Sequence, residues 1–387
     1  MIPPLTRPAV NWIDGMKLNR NHLQQQDNAF RDGVRDAVAL GLSPFAYGLL
    51  PQLPTLPRSL DLDVQPGPNG NVVIRVPICR AVTPGGGRIE INDQSTVSHQ
   101  TSYDDLQEEY GLTGSKESDF DIILTVNLFE RVPFGDPLPD EIPPRHPYTL
   151  PKYSVSVVPS AFLSRAHPTT HFLTIGKLVY DQQQFVLAED YIPPCLAISS
   201  HLSLVQWHQR FGELLANLEQ HGLRVLQKIY AKNQPSTLTE STHRLVTNLL
   251  TVMADGLGRF RWLLLHEPPV YLVEWLVRLV QSLRIGLALL PAPAREEVID
   301  YWAEWADMPA GQLDQRIMAL AHADYNHVDI APLLGQLDDF FGTLTSLMQK
   351  LSQLEFVGKR KGEGVVISAN NPVADRSGKD RSRWSPI

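Results

Sequence analysis

The sequence predicts an α+β protein in which an N-terminal antiparallel β-sandwich is followed by a helical bundle. Before residue 200, short β-branched or alternating runs recur between Gly and Pro turn signals, as they do in antiparallel sandwiches. After residue 200, the apolar residues recur every three or four positions, which is the period of an amphipathic helix. With 387 residues, 43% of them hydrophobic, the chain is long enough to form two or three domains with buried cores.

The first domain is predicted to span residues 1–199. Its predicted strands are rich in β-branched residues and flanked by turn residues: 60–65, 71–82, 87–92, 119–132, 153–158 and 171–180. Between two of them, the prolines of 133–151 remove amide donors and favour extended backbone. That segment is therefore predicted to be a long loop, with either a contact role or none beyond connecting two strands.

Residues 200–357 are predicted to form a helical bundle that also holds copies of the chain together. Its last helix carries an unbroken heptad of apolar residues, and a third apolar position in each heptad widens the stripe. Such a helix packs on two sides, either wholly within its chain or partly against other copies. We predict contacts between copies through these side chains: Ile330, Leu333, Leu337, Phe340, Leu344, Leu347 and Leu351.

The C-terminal segment 358–387 loses all periodicity. Seven basic residues stand against three acidic ones, and few apolar residues are present. Because such a segment buries too little apolar surface to offset the entropy of ordering, we predict a basic tail that is flexible or bound by a partner.

Composition also restricts the partners and the compartment. The net charge of −8 and the pI near 5.8 argue against a nucleic-acid partner, which normally meets a basic face. Only Cys79 and Cys195 are present, so we predict buried thiols in a reducing compartment rather than a disulfide framework.

No membrane span is predicted. The most apolar stretch, 270–290, is interrupted by Glu274, Arg278 and Arg284 and is predicted to be a core helix. The N-terminus lacks the pattern of a secretory signal, so a cytoplasmic location is expected.

The sequence contains no convincing catalytic or cofactor motif, and we predict neither an enzyme nor a cofactor. The glycines of 85–87 lack the Lys-Ser/Thr of a phosphate loop and are predicted to form a hairpin turn. The acidic residues of 104–109 are predicted to lie on a solvated connecting segment. The segment 322–329 has two histidines, yet it precedes the last helix, where Asp329 is placed to act as a cap or a first-turn acid. No metal site is predicted.

The N-terminal stretch resembles the signature of the TssK family, the baseplate adaptor of bacterial type VI secretion systems. The matching residues are Val10, Trp12, Asp14, Gly15, Met16, Leu18, His22, Gln24, Gln25 and Asp27. The sequence departs from the signature at Asn21 and Leu23. The segments 190–199 and 323–341 also resemble segments of the family, in the same order along the chain.

The resemblance implies a homotrimer with a β-sandwich shoulder, which grips baseplate wedge proteins similar to TssF and TssG, and a helical neck. Members of the family also have a C-terminal head that contacts the membrane complex. Here the 30 residues of 358–387 are too few for an independent head with its own core. A head-less or divergent member is therefore expected, with the tail around Trp384 as a hypothetical docking element for the envelope anchor.

The N-terminal segment is accordingly predicted to bind wedge proteins. Trp and Met are favoured in interface cores, Gly permits a tight approach, and the amides of glutamine offer both donors and acceptors. The predicted residues are Trp12, Gly15, Met16, Leu18, His22, Gln24, Gln25 and Asp27. The alternative is that these residues only brace the sandwich. A different function, a trimeric receptor- or glycan-binding protein of a phage-like particle, would need exposed aromatic residues on sandwich loops, such as Phe134 and Tyr148.

Overall fold

The fold consists of antiparallel sheets in the N-terminal half followed by helices, which confirms the predicted fold class. The computed structural model of the chain describes residues 2–67, 70–112, 118–163, 170–232 and 236–360. The strands are β1 Gly48–Leu49, β2 Leu60–Pro66, β3 Asn71–Val82, β4 Arg88–Ile91, β5 Val97–Ser102, β6 Asp119–Phe134, β7 Tyr148–Pro159, β8 Phe172–Asp181 and β9 Gln184–Leu187. The helices are α1 Arg20–Leu40, α2 Tyr103–Tyr110, α3 Leu202–Lys232, α4 Thr237–Trp262, α5 Val270–Ala288, α6 Ala292–Trp305, α7 Ala310–Ala321 and α8 Ala331–Gln353.

The strands form two sheets that share one core. In the five-stranded sheet, β3 pairs antiparallel with β1, β2, β4 and β5. The four-stranded sheet has the order β7-β6-β8-β9. Because successive side chains of a strand point to opposite faces, alternate residues of both sheets meet in this core, among them Ile74, Val76, Ile122 and Leu124.

The predicted loop 133–151 is shorter in the structure. Pro133 pairs with Thr149, and Pro151 pairs with Arg131, so both ends of the segment belong to the β6–β7 hairpin. The prolines are tolerated because β7 is an edge strand, and β8 pairs with β6 only as far as Thr125. The loop itself covers 135–147.

The acidic connecting segment is a helix, which corrects the sequence-based interpretation. Ser102 and Asp105 form a reciprocal capping box at the start of α2, a motif that satisfies two backbone donors. The acidic side chains predicted to be solvated are exposed: Asp104, Asp105, Glu108 and Glu109.

The second half is a bundle in which α8 packs against α3. Helix α5, predicted to be a core helix, buries Leu272, Leu276, Leu279 and Leu283 at 1% exposure or less. None of the helices in the described ranges is long and apolar enough to cross a bilayer.

Helix α8 packs on both of its apolar sides within the chain. The seven side chains predicted to contact other copies are 9% exposed or less in the single chain: Ile330, Leu333, Leu337, Phe340, Leu344, Leu347 and Leu351. A second copy therefore cannot reach them without displacing neighbouring helices of the same chain. Association of copies stays a prediction, and it requires a contact surface other than these seven side chains.

The start of α8 also differs from expectation. Ile330 is its N-cap residue and provides no side-chain cap. Asp329, predicted as a cap or a first-turn acid, precedes the N-cap and instead forms an ion pair of 2.5 Å with Lys177 on β8. This ion pair links the last helix to the sheet domain.

The predicted tail begins in contact with the bundle. The Gly358 amide donates to the Tyr301 hydroxyl at 2.9 Å, the Trp305 indole donates to the Lys359 carbonyl at 3.2 Å, and Arg360 pairs with Glu304 at 3.0 Å. Residues 361–387, including the Trp384 docking element, lie outside the described residues.

Candidate binding surface at the N-terminal segment

The N-terminal arm, defined here as residues 2–19, lies against α1 and is held there by a buried carboxylate. The Thr6 and Arg7 amides donate to Asp32 Oδ2 at 2.7 and 3.0 Å. Burial of Asp32 acts to raise its pKa, but the Thr6 amide, the Arg35 side chain and the Arg7 amide stabilise the charged form, and the net effect lowers the pKa. Asp32 is therefore an ionised anchor for the arm.

Arg35 neutralises this carboxylate and holds two further segments. Its Nε donates to Asp32 Oδ1 at 2.8 Å, and both side chains are 2% exposed. Its terminal nitrogens donate to the carbonyls of Pro3 and Pro4, each at 3.3 Å, and of Gly85 at 3.4 Å. The Asp32–Arg35 pair thus joins the arm, α1 and the turn between β3 and β4.

That turn confirms the hairpin predicted at 85–87 and explains one of its glycines. Gly86 has φ +83, and a Cβ at this position would lie 2.3 Å from the Arg35 carbonyl oxygen. Only glycine combines this backbone conformation with such a close approach. Helix α1 therefore packs directly against this turn.

Gln26 fixes the middle of the arm. Its side-chain carbonyl accepts hydrogen bonds from the Val10 amide at 3.1 Å and from Trp12 Nε1 at 3.2 Å. The Trp12 ring also contacts His22 edge-to-face, with the ring centroids 6.3 Å apart. The predicted set omitted Gln26, because the glutamine triplet alone does not indicate which of its members faces the arm.

A groove of about 450 Å³ runs between the arm and α1. Its lining combines backbone and polar side chains, and includes Arg7, Asn11, Met16, His22, Gln25 and Asn28. His22 Nδ1 is buried there and has no hydrogen-bond partner among the described residues. Gln25 is exposed, so the groove offers its side-chain amide to a bound segment.

One predicted residue, Asp27, braces the fold together with residues outside the predicted set. Asp27 forms an ion pair with Arg131 of β6, and Asn28 accepts from the same guanidinium at 2.9 Å. The Arg7 guanidinium lies over the Phe129 ring at 4.7 Å. These contacts attach the arm and α1 to the irregular part of β6, where its pairing with β7 shifts between Asn127 and Arg131.

The remaining predicted residues divide between turn and surface. Gly15 has φ +79 in a turn closed by the Met16 amide, which donates to the Ile13 carbonyl at 3.2 Å. Leu18 is 64% exposed and Trp12 is 45% exposed, whereas Gln24 is half-buried. The structure therefore places the predicted residues on one segment of the molecule, with Trp12, Leu18 and Gln25 open to a partner.

The histidine segment 322–329 lies at the interface between the sheets and the helical bundle. His327 Nε2 hydrogen-bonds with the Tyr47 carbonyl at 3.0 Å, and its Nδ1 hydrogen-bonds with the Tyr325 hydroxyl at 2.9 Å. Burial lowers the pKa of His327, partly offset by the Tyr47 hydrogen bond. The ring is therefore a neutral connecting group. No cluster of possible metal ligands is found in the part of the chain that the structure describes.

The cysteines are buried, as predicted. Cys79 and Cys195 are free thiols at 0 and 1% exposure. Burial, with a smaller contribution from Glu90, raises the pKa of Cys79 to about 12. Neither thiol is therefore available as a thiolate near neutral pH.

These features define a sheet protein fused to a helical bundle, with a polar groove at its N-terminal arm. The fold is that of TssK. A crystal structure of TssK aligns with 90% of this chain and 70% of its own, at a TM-score of 0.50 and 15% identity. TssK in a TssK–TssF–TssG baseplate subcomplex of the type VI secretion system aligns with 88% of this chain and 99% of its own, at a TM-score of 0.47 and 17% identity. TssK from T6SS EAEC in complex with a nanobody aligns with 84% and 99%, at a TM-score of 0.46 and 17% identity.

No protein-family model matches the chain, and no curated protein sequence matches it. At 15% identity the likeness to the TssK crystal structure establishes the fold.

Proposed function

We propose that the chain is a structural baseplate subunit of a type VI secretion system or a related contractile injection system. In this role it is a trimeric adaptor that links wedge proteins, similar to TssF and TssG, to an envelope anchor. The main observation behind the proposal is the TssK-like fold together with an N-terminal arm that is held by hydrogen bonds beside an open groove. The role requires no catalysis, and no residue of the groove is assigned a catalytic step.

The wedge-binding surface proposed here comprises the groove and the exposed residues beside it. Trp12 and Leu18 supply apolar area, while Gln25 and His22 supply hydrogen-bonding groups. Such a combination suits an extended segment of a partner, whose backbone amides and carbonyls need partners once they leave water. Gln26, Asp32 and Arg35 act behind this surface by holding the arm in place.

The location proposed is cytoplasmic, at the inner face of the inner membrane, where a baseplate meets its anchor. The C-terminal end of the chain is the proposed side of contact with the anchor, because residues 358–387 carry seven basic residues against three acidic ones. Deletion of 361–387 with unchanged envelope association would contradict that part of the proposal.

Gln25→Ala tests the wedge-binding surface. Because Gln25 is exposed, its loss should leave the fold intact, while a hydrogen-bonding contact at an interface contributes about 1–2 kcal/mol. We expect wedge proteins from the same source to bind about 5- to 30-fold more weakly, measured by titration calorimetry or quantitative pull-down.

The matched control is Gln94→Ala, at an exposed glutamine in the turn after β4. It should bind as the wild type does. Equal wedge affinity for the Gln25 and Gln94 variants would contradict the proposed surface.

The receptor- or glycan-binding function remains the second candidate, and one observation favours it. Tyr103 and Tyr180 stack at 4.0 Å beside Phe185, and the neighbouring turn residues Gln182 and Gln183 both have positive φ. Aromatic rings and amides are groups that can bind sugars. Of the two aromatic residues expected to serve this function, Tyr148 is exposed and Phe134 is half-buried. Binding on a glycan array together with no wedge co-purification would favour this candidate.

A further inference from the structure

Helix α1 has its polarity reversed relative to an ordinary surface helix. The side that faces the sheets carries the charged pair Asp32 and Arg35. The side that faces solvent is apolar, and it is called here the outer face. Its members are Leu23, Phe30, Val34, Ala37 and Val38, of which the four larger side chains are 61, 65, 65 and 41% exposed.

An amphipathic helix on a monomer normally turns its apolar stripe toward the core. A row of large apolar side chains left in water is costly, and on a soluble protein it indicates a surface that another molecule covers. The reversed orientation of α1 is fixed by its buried ion pair and by the turn at Gly86. The helix therefore cannot roll over to hide the outer face within its own chain.

The outer face has a repeat that suits contact with an identical face. Leu23, Phe30 and Ala37 are seven residues apart, which keeps one seam facing a neighbouring helix. Gly33 and Gly41 flank this seam, and both are exposed. Bulky side chains of one copy can thus lie beside small residues of another.

Charge also favours a second copy as the occupant. Between Leu23 and Val38, the one charged residue within the arc of the outer face is Asp27, and its carboxylate is already paired with Arg131 and Arg31. Arg20 lies in line with Val38 at the first position of the helix, at the N-terminal end of this face. From Leu23 to Val38, two identical faces can therefore meet without like-charge repulsion, and no cation of a partner is needed to balance this part of the surface. The heptad of α8 offers no competing surface, because its side chains are buried within the chain.

We infer that the outer face of α1 is the contact through which copies of this chain associate, with the α1 helices of neighbouring copies packed against one another. This inference rests on the proposed function, because it names the surface that assembles the proposed multi-copy adaptor. The groove lies on another side of the same helix, so one helix serves two contacts: copies on its outer face and the wedge partner beside the arm.

Phe30→Glu is the first test. Phe30 is 65% exposed in the single chain, so the substitution should not lower the melting temperature of an isolated copy, but it places a charge in the contact of every copy. We expect the native mass by light scattering to change from several copies for the wild type to one copy. The control is Ile142→Glu, at a loop position that is 98% exposed, which should keep the wild-type mass. A Phe30→Glu protein with the wild-type mass, or a wild type that is itself a single copy, would overturn the inference.

Val34→Cys gives an independent test of position. Both natural cysteines are buried, so the new thiol is the accessible one. With oxidised glutathione as oxidant, two Val34→Cys thiols should form a disulfide between copies, while the disulfide of glutathione is reduced to two thiols. We expect a band of two linked chains on a non-reducing gel, and none for Ile142→Cys. Equal linking of the two variants would contradict the contact.

Wedge pull-down with the Phe30→Glu protein separates this inference from the proposed function. If the mass falls to one copy and each copy still binds wedge protein, both hold. If the mass is unchanged and wedge protein binds, the inference alone fails. If the mass falls as expected but the wild type binds no wedge protein, the proposed function alone fails.

Discussion

Leu337→Asp is expected to unfold the helical bundle rather than merely separate copies. Leu337 is 0% exposed within the single chain, so the new carboxylate would be buried without a partner. Such a buried charge costs several kcal/mol, on top of the roughly 2–5 kcal/mol for losing a buried leucine. This sum approaches the whole stability of a typical domain, about 5–15 kcal/mol. We expect little soluble folded protein, measured by circular dichroism and thermal melting.

The comparison with Phe30→Glu makes the result diagnostic. Both substitutions introduce a carboxylate at an apolar residue of a heptad, one buried within the chain and the other exposed. We expect the first to lose the cooperative melting transition and the second to retain it. A Leu337→Asp protein that melts like the wild type but as a single copy would show that α8 is the contact between copies.

Arg35→Ala is expected to release the N-terminal arm. The substitution leaves the Asp32 carboxylate buried without its cation, and breaking a buried ion pair in this way costs about 3–5 kcal/mol. It also removes the hydrogen bonds to the carbonyls of Pro3, Pro4 and Gly85. We expect faster hydrogen exchange at the Thr6 and Arg7 amides, which donate to Asp32 in the wild type, and a strong loss of wedge binding.

Arg20→Ala is the control for this substitution, because Arg20 lies on the same helix and is exposed. It should leave both amides protected. Unchanged exchange in the Arg35→Ala protein would show that the pair does not hold the arm.

The same ion pair gives a pH dependence with a defined sign. The pKa of Asp32 is lowered in the folded protein from its ordinary value of 3.8. The stability that the ionised carboxylate contributes is therefore complete above about pH 4 and is lost as the pH falls through the lower, folded-state pKa. We expect the difference in unfolding free energy between wild type and Asp32→Asn to shrink in this acid range, and to be constant above it.

The sequence predicts the fold class well because the spacing of apolar residues, every second residue in the strands and every three or four in the helices, shows which residues face a core. It does not identify which molecule supplies that core. The heptad pattern of α8 is the same whether α3 of its own chain or a second copy covers the helix. The structure is needed to show that its seven residues are buried within the chain.

The orientation of α1 could not be predicted for a related reason. Leu23 and Phe30 can be placed on one side of a helix from their spacing, but spacing alone suggests that this side faces inward. The deciding contacts, from Asp32 and Arg35 to the arm and to Gly85, join residues distant in sequence. The edge strands β5 and β9 were missed because polar residues dominate the first and the second has four residues.

The sequence predicts partner binding at the N-terminal segment, and that binding stays a prediction. The N-terminal signature covers residues 10–27, and the structure has a groove along this segment. Gln26 could not be distinguished from Gln24 and Gln25 without knowing where the arm runs. Asp27, predicted to bind a partner, forms an ion pair with Arg131, which lies about a hundred residues further along the chain.

Hydrogen exchange of the full chain with and without the wedge proteins tests the central proposal most directly. The expected result is new protection within residues 6–28, at the arm and the first half of α1, with no change along the loop 135–147 or helix α8. Protection confined to that loop or to the bundle, with the arm exchanging as in the free protein, would contradict it.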